Sequence, residues 1–178
     1  PLLSCGVRIP RPAVALVDGI ILTLGTIWVV FFAESFIGPF QSFLITLGVP
    51  LASWAGIMIA DIALRKRDYD DDALFDVRGR YGSWDWVSIA TMGVASVIGW
   101  GLVVNNFAQD AAWNNWQGYL LEPLGLGTYI TEGEGAPYWD GAWPYANLGV
   151  LLALVLSFAV TYVARRARVQ QQEALVDG

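Results

Sequence analysis

Long apolar runs separated by short polar stretches set the pattern of this chain. Four runs reach the roughly 20 residues that a helix needs to cross a bilayer: about 13–32, 39–64, 86–104 and 145–163. Each predicts a transmembrane helix. Pro10 and Pro12 stand at the start of the first, where a missing N–H costs nothing. The second is long enough to tilt or bend. Trp86, Trp100, Tyr145 and Tyr162 lie near span ends, as interfacial aromatics do. The fold class read from this pattern is an all-α integral membrane protein.

The connecting stretches differ in character. Residues 65–85 form a charged loop in which Asp68, Asp70 and Asp72 match the first, third and fifth positions of an EF-hand. Ala73 then replaces the required Gly and Gly79 the bidentate Glu, so a solvated loop is expected rather than a metal site. Residues 105–144 are long for structureless chain. Ala112, Trp113, Trp116, Leu120 and Leu121 follow helical spacing, with Asp110 as an N-cap. They predict a short amphipathic helix on the membrane surface or over the bundle. The Gly/Pro-rich remainder, Gly125–Pro144, is expected to be irregular.

Composition narrows the class. Of 178 residues 56% are hydrophobic and 15% charged, against about 25% charged in soluble domains. This composition argues against a soluble globule and against a disordered chain. The charge of −6 argues against a nucleic-acid partner, and the absence of His removes imidazole chemistry. Cys5 is the single cysteine, so no internal disulfide forms.

With four spans, every Lys and Arg (Arg8, Arg11, Arg65, Lys66, Arg67, Arg78, Arg80, Arg165, Arg166 and Arg168) falls on one side. Glu34, Asp110, Glu122, Glu132, Glu134 and Asp140 fall on the other. Basic residues mark the cytoplasmic side. The expectation is a multi-pass protein of the plasma (cytoplasmic) membrane with both ends of the chain, including a 164–178 tail, in the cytoplasm. No signal peptide opens the chain, and Pro1–Gly6 reads as the end of a helix that begins upstream. A C-terminal fragment of a longer protein is expected.

No GxxxxGK[ST], GxSxG or HExxH motif is present, and no metal site or cofactor is expected. An enzyme would have to rely on carboxylates, and only Asp18, Glu34 and Asp61 lie within or beside a span. Asp18 is shallow enough to meet water or Arg11; an ion or proton role is the alternative. Asp61, just before Arg65-Lys66-Arg67, reads as a structural ion pair. Gly48, Ala52, Gly56 and Ala60 recur every four residues and predict close approach of a neighbouring helix. Ala95 and Gly99 give the third span a weaker version. Pro50 predicts a kink, either a hinge or a static bend.

Ala55-Gly56-Ile57-Met58-Ile59-Ala60-Asp61 followed by Arg65-Lys66-Arg67 resembles the nucleobase:cation symporter-1 family, the purine/cytosine permeases and hydantoin or allantoin transporters. Val7-Arg8-Ile9-Pro10-Arg11, Leu74-Phe75, Gly79-Arg80-Tyr81 and Trp116-Gln117-Gly118-Tyr119-Leu120-Leu121 extend the likeness over nearly the whole chain. The resemblance implies twelve helices in a leucine-transporter-type fold with inverted repeats, of which the four spans would be helices nine to twelve. It implies symport of a small heterocycle such as cytosine, a purine, allantoin or hydantoin. Substrate and the coupling Na⁺ or H⁺ would bind on upstream helices of the same protein. The second span would be the outer gate, through Phe43, Leu44 and Leu47. Where such transporters often carry Gly-Pro before the AGxxxAD motif, this chain has Ala52-Ser53 and places its proline at Pro50. A reading of a different class is a four-helix anchoring or assembly subunit that transports nothing.

Overall fold

The computed structural model describes residues 11–32, 37–76, 79–82, 84–105, 115–132 and 137–174. Cys5, the Pro1–Gly6 stretch, Glu34, Asp110, Ala112, Trp113 and Glu134 lie outside them. The chain divides into two compact units, Pro1–Phe40 and Gln41–Gly178.

The first unit carries α1 (Arg11–Phe32). Leu16, Ile20, Leu24 and Trp28 are exposed along it. The hydroxyls of Thr23 and Thr26 donate to the carbonyls of Gly19 and Leu22, at 2.7 and 2.8 Å. Their polarity is satisfied within the helix, as apolar surroundings demand. Asp18 is exposed.

The second unit is built on α2 (Ile37–Leu64) from Gln41 onward, α4 (Trp86–Trp100) and α5 (Leu148–Ala174). A short helix, α3 (Asp71–Phe75), stands in the charged loop, capped by the Asp70 carboxylate accepting from the N–H groups of Asp72 and Ala73. Phe40–Leu64 and α5 are long and apolar enough to cross a membrane, while Ala15–Trp28 and Trp86–Trp100 are shorter apolar helices.

Small residues set the helix spacing. A Cβ on Gly149 would fall on the Gly99 carbonyl oxygen, so α4 and α5 touch backbone to backbone. A Cβ on Gly56 would likewise meet the Leu154 carbonyl, bringing α2 against α5. Beside it, the hydroxyls of Ser53 and Ser157 share a buried hydrogen bond of 2.6 Å. Val49, Ala95, Val103 and Ala153 form the central core. The buried face of α2 therefore runs through Val49, Ser53, Gly56, Ile57, Ala60 and Asp61. Ala60 and Gly56 of the expected stripe lie on it; a Cβ added to Gly48 would meet nothing within 4 Å.

The structure departs from the sequence expectations at four places. The third span stays helical only to Trp100, not Val104. Gly101–Asn105 is buried but not helical, because the chain at 118–120 returns to cap the helix end. Gly118 N–H donates to the Trp100 carbonyl at 3.0 Å and Leu120 N–H to the Gly101 carbonyl at 2.9 Å. Tyr119 Oη donates to the Val97 carbonyl. The two backbone donors satisfy carbonyls that any helix end leaves orphaned, and Tyr119 adds a second donor to a carbonyl that already accepts from Gly101 N–H. For the same reason the described part of the expected amphipathic helix, residues 115–121, is a set of turns. Its apolar side chains fill the region over α4: Leu121 is fully buried with Leu102 and Val104, and Trp116 meets Trp100 edge to face at 5.5 Å. Finally, Gly125–Pro144 is not wholly irregular. Strands β1 (Thr128–Ile130) and β2 (Tyr138–Asp140) pair antiparallel, with the rings of Tyr129 and Trp139 5.2 Å apart. Pro144–Ala146 makes a 3-10 turn and Asn147 takes a left-handed conformation, φ 51°, so α5 starts at Leu148 rather than Tyr145.

Candidate functional site

The two ends of α2 are held by different chemistry. Pro50 has no N–H, so the carbonyl four residues earlier, that of Thr46, loses its helical partner. The indole N–H of Trp100, at the end of α4, supplies the missing donor at 2.8 Å. Gln117 adds a second tie, its side-chain NH₂ donating to the Thr46 hydroxyl at 2.9 Å. The helix runs unbroken through Pro50, and an outside donor replaces what the proline removed. Ahead of this point lie the expected gate residues. Phe43 is 58% exposed, Leu44 48% and Leu47 39%, all three on the solvent-accessible side of the second unit.

The other end of α2 carries an ion-pair cluster. Asp61, 6% exposed, accepts from Arg65 Nε at 2.8 Å and pairs with Arg165 Nη1 at 2.8 Å. Its third partner is the Tyr69 hydroxyl. Arg165 also reaches Asp85 at 3.0 Å, and Asp85 pairs with Arg168 at 3.2 Å. Asp85 immediately precedes α4, and both arginines belong to α5. One network therefore ties together the C-terminal end of α2, the start of α4 and the charged half of α5.

Arg65 lies over the Tyr69 ring at 4.4 Å and the Tyr81 ring at 5.2 Å, and donates to Gln172 Oε1 at 3.3 Å. Burial opposes its charge, but hydrogen bonds to Asp61 and Tyr69 outweigh this and raise its pKa above the ordinary value. Burial, reinforced by the Asp61 carboxylate, also raises the pKa of Tyr69, keeping its hydroxyl a donor. The expected ion pair of Asp61 with the basic cluster is present through Arg65. Arg165 and Tyr69 are partners that sequence reading did not identify.

Asp70 serves as the cap of α3 and pairs with Arg80 at 2.6 Å. Among the described residues, no group of three His, Cys, Asp or Glu could hold a metal ion. Arg65, Arg80, Arg165 and Arg168 all converge on this end of the unit. The opposite end is occupied by Thr46, Trp100, Gln117 and the strand pair.

This arrangement contains no acid–base or nucleophilic constellation among the described residues. It offers one long helix fixed by charges at one end and by neutral hydrogen bonds near its proline, with an exposed apolar segment beyond. Comparisons with curated proteins and with solved structures gave no match. The family model for permeases for cytosine/purines, uracil, thiamine and allantoin matches residues 4–131. The chain belongs to that permease family, a family of membrane transporters of nucleobases and related compounds.

Proposed function

We propose that this chain is the C-terminal part of a secondary active transporter that couples Na⁺ or H⁺ to movement of a nucleobase or related heterocycle. Cytosine, purines, allantoin and hydantoin are the substrate class. In this reading α1, α2, α4 and α5 are helices nine to twelve of the inverted-repeat fold. The helix of α4 rises about 22 Å, and the buried non-helical segment to Asn105 carries the chain over the remaining depth. Non-helical backbone is tolerated at that depth when it is enclosed by protein. Substrate and ion sites belong to the broken helices of such folds, which we place upstream of this segment. Both chain ends are cytoplasmic, and the protein resides in the plasma membrane.

The segment Phe43, Leu44 and Leu47 acts as the outer gate, closing the path by filling it with apolar volume. The supporting observation is the contrast along α2: an exposed apolar stretch precedes a proline whose orphaned carbonyl is tended by another helix. Leu44→Ala or Leu47→Ala in the full-length transporter should impair uptake while leaving initial substrate binding nearly intact. Binding and uptake measured on the same folded protein provide the test. Loss of both in proportion would reject the gate.

A further inference from the structure

We propose that the charged end of the α2–α5 seam binds the headgroup of an anionic phospholipid. A cleft of about 450 Å³ lies between the C-terminal turn of α2 and the charged extension of α5. Its lining changes character along its depth. Leu64 and Tyr162 form an apolar wall, each at the end of its helix's apolar run. Lys66, Arg67 and Arg166 follow within a turn, and Arg166 is four residues beyond Tyr162 on the same face of α5. The cleft thus straddles the level at which a lipid's phosphate gives way to its glycerol and chains. Basic pockets between helices on the cytoplasmic side suit such headgroups.

Two of the cations in the cleft, Lys66 and Arg166, are not committed in the way their neighbours are. Arg65, Arg165 and Arg168 are spent on Asp61 and Asp85. Among the described residues, the Lys66 ammonium and the Arg166 guanidinium meet no carboxylate. The one acid lining the cleft, Glu173, accepts the Lys66 backbone N–H at 2.7 Å. Next to the cleft, Ile62 and Val163 are exposed apolar side chains, 60% and 77% accessible, along which acyl chains can lie. A zwitterionic headgroup would bring its own cation against Lys66 and Arg166. A phosphodiester with an uncharged hydroxylated end, as in phosphatidylglycerol, brings none.

The inference needs the bilayer placement but neither the proposed substrate nor the gate, so lipid binding and uptake can fail independently. The test titrates detergent-solubilised full-length protein with phosphatidylglycerol or phosphatidylcholine of identical chains and counts bound lipid by native mass spectrometry. Phosphatidylglycerol should bind at least tenfold tighter. Lys66→Gln with Arg166→Gln should lower its affinity about fivefold per cation removed. The charge-conserving pair Lys66→Arg and Arg166→Lys should retain it. Chain-free glycerophosphoglycerol should not compete at equal concentration. Equal affinity for the two lipids in the unaltered protein, or undiminished phosphatidylglycerol binding in the folded glutamine variant, would overturn the proposal. Full competition by the chain-free headgroup would overturn it in favour of a soluble anion.

Discussion

The hydrogen bond from Trp100 to the Thr46 carbonyl exists because Pro50 leaves that carbonyl without a helical donor. That causal link can be tested by a double-mutant cycle. Trp100→Phe keeps an aromatic ring but deletes the donor, leaving the Thr46 carbonyl unsatisfied. An unmet buried acceptor costs about 1–3 kcal/mol. Weakening of the edge-to-face contact with Trp116 adds about 0.5–1.5 kcal/mol. The expected destabilisation is about 1.5–4.5 kcal/mol, measured on the full-length protein by denaturant titration in mixed micelles with helicity as the signal. Pro50→Ala restores an N–H four residues after Thr46, so the helix can serve its own carbonyl. In that background Trp100→Phe should cost about 1 kcal/mol less or better, a coupling within the range for directly interacting residues. Additive effects, with coupling below about 0.3 kcal/mol, would show that the indole does not substitute for the missing backbone donor.

Three further outcomes follow from the placement of the charges. Asp61→Asn removes the carboxylate that meets both Arg65 and Arg165; breaking a buried pair in this way should destabilise by about 3–5 kcal/mol, read from the same titration. Asp61→Asn combined with Arg65→Met should recover part of that loss, since the cation left without a carboxylate is gone, whereas Arg165 keeps Asp85; no recovery would refute the pairing. Single cysteines at Asp72 and Glu132, in a Cys5→Ser background, should react with an impermeant thiol reagent from opposite faces of sealed vesicles. Reaction of both from one face would refute the four-span topology.

Much of the helical frame was legible because α1, α2 and the first part of α5 are long, nearly uncharged apolar runs. The end of α4 was not. Leu102-Val103-Val104 is equally apolar as helix or as buried extended chain, and the donors that decide the matter, Gly118 and Leu120, come from the far side of the outer loop. The three-residue strands are too short for alternation to register against Gly and Pro. On α2, residue size alone pointed to Gly48 and Ala52, whereas the buried face passes through Val49 and Ser53. Ser53 is there because a hydroxyl on α5, that of Ser157, takes up its hydrogen-bonding capacity. Local charge adjacency revealed Arg65 as the partner of Asp61, but Arg165 joins them only through tertiary packing. Trp100 read as an interfacial aromatic, and its role as donor to a proline-freed carbonyl became visible only once α4 and α2 were side by side.

Whether Pro50 marks a hinge depends on how independently the two halves of α2 can open. The half beyond Pro50 is joined to its neighbours by buried Ser53, by the glycine contact at Gly56 and by the ion pairs of Asp61. The half before it has the neutral ties at Thr46 and exposes Phe43, Leu44 and Leu47. Segments with few buried contacts open at lower free energy than the structure as a whole. In the full-length protein, the amides of residues 42–47 should therefore exchange with deuterium faster than those of residues 55–61. Gln117→Leu, which deletes the tie to the Thr46 hydroxyl, should speed exchange in the first set and leave the second unchanged. Asp61→Asn should do the reverse. That double dissociation is the signature of a helix divided at Pro50, and it is what a bending gate requires. If either substitution accelerates both sets equally, α2 opens as one rod and Pro50 is not a hinge.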